Sequence, residues 1–389
     1  MNWKVPLFDL DIGKEEIEAI SRVIDSKWIS MGQVTREFER EFAQRHGAKH
    51  GIAVCNCTAA LHLALKALGI GKGDEVICPS LTFVATANSI LYTGATPVFA
   101  DIVDKDNLNV SPYDIESKIN EKTKVILVVH YAGFPCDMDR IMEIARKYNL
   151  FVIEDAAHAP GAEYYSKKRK GKREKVGTIG DIGCFSFFSN KNMTTGEGGM
   201  VVTNNDEFAD KIRIMRSHGM TSLTWDRYKG LSYNYDVIEL GFNYRMDEMR
   251  AALGLVQLKK LDKNNERRKK LWKLYKEKLN DIEEVNIPFL KFSGISSYHI
   301  FPILLSQKIN REDFIQYLRT KGIQTSIHYP PIHLFSYYKK LLRSNDNLPL
   351  TEYVGRKEVT LPLFPAMRED DVDYIVKSVK NYLKNSKSF

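Results

Sequence analysis

The sequence has few cysteines and no long apolar run, and these absences exclude several classes of protein. Its five cysteines stand in apolar or strand-like contexts without paired CxxC spacing. We therefore expect reduced core residues, with neither disulfides nor a metal site. Apolar runs such as Val125–Val129 are too short to cross a bilayer. The first residues, MNWKVPLFDLDIGKEE, carry acids where a secretory signal needs an apolar core, which predicts a cytoplasmic protein without a membrane partner.

The glycine motifs of common nucleotide-binding folds are also missing. No GxGxxG follows an early strand, and no GxxxxGK[ST] is present, which argues against a Rossmann fold and a P-loop. The formal net charge is +8, but the basic residues are spread out except at 166–175 and 264–270. These two stretches are typical of a solvated hairpin tip and a polar helix face. Because no nucleic-acid reader motif accompanies the charge, we expect no nucleic-acid partner, and an anionic small substrate fits equally well.

What the sequence does contain is an alternation of strand-like and helix-like segments. The 389 residues, 43% of them hydrophobic, are enough for two domains. Apolar strands that alternate with helices indicate an α/β domain with a mostly parallel sheet covered by helices. From about residue 290 the pattern changes to a smaller α+β unit. We predict a large domain at 1–250 and a small one at 251–389, with the boundary inside a long helix near 246–278.

One stretch, IGCFSFFSNKNMTTGEGGM at 182–200, carries the strongest chemical signal. Its apolar start predicts a buried strand, which Ser189 and Asn190 end just before Lys191. A lysine at the end of a buried strand, among small residues, can reach a cleft where its amine is partly desolvated. Such an amine loses its proton readily and can form a Schiff base with a carbonyl. The alternative is an exposed loop lysine, since lysine is usually a surface residue.

Two other strand ends carry complementary groups. Asp155 directly follows the apolar start of FVIEDAAHAPGA, and a helix begins near Thr58 after a short strand. Each could be an ordinary helix cap. Ligands of parallel sheets nevertheless gather at the carboxyl ends of the strands. A helix N-terminus for a phosphate, a carboxylate for a pyridine nitrogen and an amine for an aldehyde are the three anchors of pyridoxal phosphate.

Several longer blocks extend this pattern along nearly the whole chain. They include NCTAALHLALKALGIGKGDEVICPSLTFVATANSILYTGATPVFADI, VIEDAAHAPGAEY, GDIGCFSFFSNKNMTTGEGGMVVTN, LGFNYRMDEMRAALGLVQL and IHYPPIHLFSYY. Together they resemble the nucleotide-sugar aminotransferases of the DegT/StrS group, which are fold-type I enzymes dependent on pyridoxal phosphate. The resemblance implies an aminotransferase-like fold, pyridoxal 5′-phosphate as cofactor and a homodimer.

Position by position, the resemblance assigns five residues to the chemistry and to the cofactor phosphate. Lys191 matches the Schiff-base lysine of the family, and Asp155 matches the aspartate that pairs with the pyridine nitrogen. Thr58 and Ala59 match the phosphate-binding turn, and Ser186 matches a further phosphate ligand.

Five further positions match residues around the cofactor ring and the substrate. Phe83 matches the aromatic residue that stacks on the ring, and His158 matches a position beside it. Asn243 matches a residue that reaches the cofactor phosphate of the neighbouring subunit. His328 and His333 lie in a block that lines the sugar-nucleotide site. Phe83 and the three histidines each have a structural alternative, because aromatic and histidine side chains often serve only the core or an interface.

The resemblance implies transfer of an amino group from glutamate to the keto group of a nucleotide-diphosphate sugar, a 4-keto-6-deoxyhexose. A second hypothesis is a sugar dehydratase on the same scaffold. In those relatives a histidine replaces the lysine, so Lys191 argues against it. A third is a non-catalytic regulator, since a fold does not fix a function. A regulator, however, would not need Lys191 and Asp155 together.

Overall fold

A seven-stranded sheet covered by helices forms the larger part of the molecule. The computed structural model describes residues 3–168, 171–222, 225, 228–230, 234–292, 294–342 and 347–386. Its strands are β1 His50–Val54, β2 Glu75–Pro79, β3 Thr96–Ala100, β4 Thr123–Val129, β5 Phe151–Asp155, β6 Glu163–Ser166, β7 Lys172–Lys175, β8 Ile182–Ser186, β9 Gly199–Thr203, β10 Val285–Asn286, β11 Phe301–Leu305 and β12 Glu358–Leu361. Its helices are α1 Lys14–Asp25, α2 Gln33–His46, α3 Cys57–Ala67, α4 Ala85–Tyr92, α5 Pro112–Ser117, α6 Met138–Tyr148, α7 Asp206–Met215, α8 Glu248–Leu279, α9 Arg311–Thr320, α10 Ser336–Leu342, α11 Pro349–Lys357 and α12 Glu369–Ser386.

The large sheet is mostly parallel, as the sequence predicted. Its strand order is β1-β9-β8-β5-β4-β2-β3. Neighbouring strands from β3 to β8 run parallel, and β9 is antiparallel to both of its neighbours. Val125–Val129 in β4 are all buried, because helices cover both faces of a parallel sheet and leave no face for polar side chains.

A smaller antiparallel sheet forms the C-terminal α+β unit. Its strand order is β10-β11-β12, and every neighbouring pair is antiparallel. Phe301 of β11, Phe314 of α9 and Val379 of α12 belong to the same buried apolar cluster. The change of pattern near residue 290 therefore predicted this unit correctly.

Helix α8 connects the two sheets. The half of α8 that begins at Glu248 packs against α1 and α2, and the half that ends at Leu279 packs against α12. The N-terminal segment also reaches the small sheet unit, since Val5 forms a bridge with Ile323. The boundary between 1–250 and 251–389, placed inside this helix, stays a prediction. Neither α8 nor any other helix within the described ranges is long and apolar enough to cross a membrane.

Gly183 marks the point where β8 passes closest to a neighbouring turn. A Cβ added there would lie 2.1 Å from the carbonyl oxygen of Gly177, which belongs to the backbone and cannot rotate away. We expect Gly183→Ala to lower the free energy of unfolding by about 1–3 kcal/mol, measured by urea denaturation. Gly71→Ala is the matched control, because the nearest atom to its Cβ would be the Thr93 carbonyl oxygen at 3.9 Å. Equal stability of the two variants would contradict this reading of the packing.

Candidate active site

A cavity of about 440 Å³ opens at the carboxyl ends of the parallel strands. Its walls come from residues after β1, β2, β5 and β8, together with residues 328–329. This is the edge where parallel sheets bind ligands, and cofactor sites typically measure about 300–1,000 Å³. Seven of the residues predicted from the sequence line this cavity: Thr58, Phe83, Asp155, His158, Ser186, Lys191 and His328.

Lys191 lies on a tight return between β8 and β9. The amide of Phe187 donates to the carbonyl oxygen of Gly198, and the amide of Thr195 donates to that of Phe187. These bonds fix the backbone while the lysine side chain reaches the cavity. Burial lowers the pKa of Lys191 from 10.5 to about 8, and the negative charge of Asp155 limits this decrease. At neutral pH this amine is therefore neutral, and nucleophilic, far more often than an exposed lysine.

Asp155 is the last residue of β5 and is only 5% exposed. The hydroxyl of Thr86 donates to Oδ2 at 3.0 Å, and the amide of Ala157 donates to Oδ1 at 3.1 Å. Burial raises the pKa of the carboxyl, whereas these two donors and the charge of Lys191 oppose the increase. One protein donor on each oxygen leaves lone pairs for a cationic partner in the cavity.

The N-terminus of α3 forms the third side of the cavity. The Asn56 side chain caps the helix by accepting from the amide of Ala59 at 2.8 Å. The amides of Cys57 and Thr58 come before the first intrahelical hydrogen bond, so the helix itself provides them with no acceptor. Thr58 and Ser186 line the same cavity. Free amides, hydroxyls and the helix dipole together make an anion site, while the amide of Ala59 serves the cap.

His158 and Tyr329 form one wall of the cavity, and one nitrogen atom of this wall has no hydrogen-bond partner among the described residues. The hydroxyl of Tyr329 lies 3.0 Å from Nε2 of His158. Nδ1 of His158 is buried and has no hydrogen-bond partner in the part of the chain that the structure describes. Burial lowers the pKa of His158 well below its ordinary value, so the ring is neutral. Phe83 is 59% exposed, and its ring centroid lies 6.2 Å from that of Tyr329.

Three of the predicted positions do not line this cavity. Ala59 is buried in α3 and contributes through the cap described above. Asn243 is exposed and forms a bridge with Ser217. His333 is buried, with Nδ1 at 2.7 Å from the Ser80 hydroxyl. The cofactor role of Asn243 and the substrate role of His333 stay predictions.

Other polar residues that line the cavity were not predicted from the sequence, among them Thr86, Asn190 and Tyr329. Thr86, in the first turn of α4, could have been found, because it follows a parallel strand in the same way as Thr58. Asn190 precedes Lys191, and its buried Oδ1 has no partner among the described residues. Tyr329 comes from the C-terminal part of the chain. It does not follow a strand of the parallel sheet, so its position in the sequence does not indicate that it reaches the cavity.

The donors and acceptors of the cavity fit the groups of pyridoxal phosphate. The helix amides and the Ser186 hydroxyl suit a phosphate, the Asp155 carboxylate suits a protonated pyridine nitrogen, and Lys191 suits an aldehyde. The orphaned Nδ1 of His158 offers a further polar contact. This arrangement, at the carboxyl edge of a mostly parallel sheet, defines the class of fold-type I, aminotransferase-like proteins.

Comparison with known proteins identifies the family within this class. The family model described as the DegT/DnrJ/EryC1/StrS aminotransferase family matches residues 10–380, and the chain belongs to this family. The spore coat polysaccharide biosynthesis protein SpsC of Bacillus subtilis is 42% identical over 381 residues, covering 96% of each chain. PseC of Helicobacter pylori, an aminotransferase involved in the biosynthesis of pseudoaminic acid, has a TM-score of 0.89 and 32% identity, with 100% of each chain covered. The PLP-form of Spr1654 from Streptococcus pneumoniae has a TM-score of 0.88 and 30% identity, with 99% of each chain covered.

The lowered pKa of Lys191 makes its reactivity depend on pH. The neutral fraction of the amine rises as the pH increases through the pKa, so capture of pyridoxal phosphate on Lys191 in the cofactor-free protein should accelerate with a midpoint near 8. The rate is measured by borohydride trapping followed by peptide mass spectrometry. A midpoint near the ordinary value of 10.5 would contradict the burial argument.

The Asp155→Asn variant tests how the carboxylate affects the pKa of Lys191. Because the carboxylate raises the pKa of the Lys191 amine, its neutralisation should move the midpoint of capture to lower pH. Lys259→Ala, at an exposed position of α8, is the control and should leave the midpoint unchanged.

Proposed function

We propose that the chain transfers an amino group from glutamate to the keto group of a nucleotide-diphosphate sugar, a 4-keto-6-deoxyhexose, with pyridoxal phosphate as cofactor. The observation that carries this proposal is the meeting of Lys191, Asp155 and the N-terminus of α3 at one cavity. Membership of the aminotransferase family supports the reaction type.

Each anchor has a separate task in this reaction. Pyridoxal phosphate, when bound, supplies an electron sink for the charge that develops at the α-carbon of the amino donor. The amides of Cys57 and Thr58 would hold the phosphate, and Asp155 would hold the proton on the pyridine nitrogen. Lys191 Nζ removes the α-proton of the donor and later returns a proton, first as base and then as acid. A pKa of about 8 suits both roles near neutral pH.

Three observations support a sugar nucleotide as the acceptor. SpsC and PseC are named for polysaccharide and pseudoaminic acid biosynthesis respectively. The neutral side chains of His158, His328 and Tyr329 provide hydrogen-bonding groups that suit the hydroxyl and keto groups of a sugar. The net charge of +8 favours the approach of an anionic nucleotide diphosphate.

The test measures the visible absorbance of the bound cofactor. Protein loaded with pyridoxal phosphate should lose its visible absorbance when glutamate is added and regain it with an accepted nucleotide-linked ketosugar. A panel that varies the nucleotide, the hexose and the C3 or C4 position of the keto group would define the substrate. Lys191→Ala should lower turnover by more than about a thousandfold, because it removes both the covalent anchor and the base.

Lys259→Ala is again the matched control and should turn over at the normal rate. Protein that binds the cofactor but is not bleached by glutamate would point to a regulator. Release of water from the sugar without amino transfer would point to a dehydratase. Normal turnover of Lys191→Ala would overturn the assignment of the lysine.

We also propose that the enzyme is a homodimer in which Asn243 reaches the cofactor phosphate of the neighbouring subunit. Asn243 is exposed on the single chain, outside its own cavity. Mixing inactive Lys191→Ala with inactive Asn243→Ala should then restore activity, because each mixed dimer holds one site with both native residues. Statistical exchange predicts about a quarter of the native activity. No recovery after proven subunit exchange would contradict a shared site.

A further inference from the structure

The segment that carries His328 runs beside β12. The amide of Thr360 donates to the carbonyl oxygen of Ser326 at 2.8 Å, and the amide of Ser326 donates to that of Thr360 at 3.2 Å. This antiparallel bridge brings His328 opposite Glu358, whose Oε2 accepts from the His328 amide at 2.7 Å. Glu358 is fully buried and does not line the cavity, whereas His328 does.

A chain of side-chain hydrogen bonds connects the same two residues. The Thr360 hydroxyl lies 2.5 Å from Oε1 of Glu358 and 2.8 Å from Nδ1 of His328. A hydroxyl has one hydrogen, so it donates to one neighbour and accepts from the other. If Glu358 is ionised, the hydroxyl donates to the carboxylate and accepts from Nδ1–H of His328. If Glu358 is protonated, its carboxyl donates to the hydroxyl, which then donates to a bare Nδ1.

We infer that Glu358 is a positioning residue that determines, through the Thr360 hydroxyl, which ring nitrogen of His328 carries the proton. With Glu358 ionised, His328 presents a bare Nε2, an acceptor, to its free side. With Glu358 protonated, His328 presents an Nε2–H donor. The ring itself stays neutral, so the change is one of hydrogen-bond direction and not of charge.

The pKa values of the groups around these hydrogen bonds agree with a change in hydrogen-bond direction near neutral pH. Burial raises the pKa of Glu358 to about 8, and the positive charge of Arg311 on α9 limits the increase. Tyr131 and Tyr329 also face Glu358, and burial raises the pKa of both. His328 is buried, which lowers its pKa to about 3, and the charge of Lys191 adds to this effect. Among the three hydrogen-bonded side chains of Glu358, Thr360 and His328, Glu358 is therefore the one that titrates near neutral pH.

The consequence for substrate binding rests on the proposed function. A keto oxygen only accepts hydrogen bonds, so it binds the donor form of His328 and not the acceptor form. We expect the KM for the ketosugar to rise by about fivefold to tenfold as the pH increases through the transition of Glu358, the amount that one lost hydrogen bond accounts for. The bleaching of the cofactor by glutamate alone should not show this step.

Glu358→Gln is the direct test, because an amide has the shape of the protonated carboxyl. Its oxygen accepts from the His328 amide and its NH₂ group donates to Thr360, so the donor form persists at every pH. The tautomer is read from the ¹⁵N shifts of His328 in histidine-labelled holoenzyme, assigned with His328→Gln. Wild-type protein should change from Nε2–H to Nδ1–H between about pH 6 and about pH 10, whereas Glu358→Gln should keep Nε2–H.

The matched variants Thr360→Val and Thr360→Ser test whether the Thr360 hydroxyl couples Glu358 to His328. Valine keeps the volume but removes the hydroxyl, so the His328 tautomer should no longer follow pH, and serine should restore the coupling. The same tautomer in wild type and Glu358→Gln over the whole range, or an unchanged transition in Thr360→Val, would overturn the inference. The shifts do not depend on turnover. If the His328 tautomer follows the protonation of Glu358 but no ketosugar is aminated, the proposed function is wrong and the role of Glu358 is still supported.

Discussion

The site depends on one constraint: an amine has to be buried deeply enough to lose its proton and still remain accessible. Burial alone would lower the pKa of Lys191 further, and the nearby carboxylate of Asp155 limits the decrease. The lysine in turn limits the increase that burial causes in the pKa of Asp155. Each group thus keeps the other in a useful range, which is typical of functional sites. The cavity between them provides the space that a direct ion pair would have closed.

The parallel sheet is what brings these groups together, and it explains why they could be predicted. Asp155 ends β5, Lys191 follows β8, and Thr58 follows β1. The carboxyl ends of strands that run in the same direction meet at one edge, so a residue just after a strand is placed by topology alone. The apolar pattern of the strands was enough to predict the sheet, and hence this edge. The roles came from the chemistry of the three side chains together with the family resemblance.

The parts of the site that the sequence did not predict depend on contacts distant along the chain. Tyr329 reaches His158 only because the segment beside β12 packs over the large sheet. Glu358 and Thr360 belong to no motif that the sequence reveals. Only the bridge between Ser326 and Thr360 shows that their side chains lie behind the cavity wall. Periodicity describes single elements, and it contains no information on how the large and the small sheet are oriented relative to each other.

The polar groups of the cavity divide into a charged end and a neutral end. The lysine, the aspartate and the helix N-terminus hold charge or oriented dipoles where a phosphate and a pyridinium would bind. The two histidines that line the cavity are different, since burial lowers the pKa of His158 and His328 far enough to keep both neutral. A neutral imidazole has one donor and one acceptor nitrogen, so such a wall distinguishes ligands by the direction of hydrogen bonds. A keto group and the amine that replaces it differ in this respect, because only the amine can donate. A wall of neutral histidines can therefore distinguish a ligand that only accepts hydrogen bonds from one that also donates them, whereas a charged wall selects ligands by their charge.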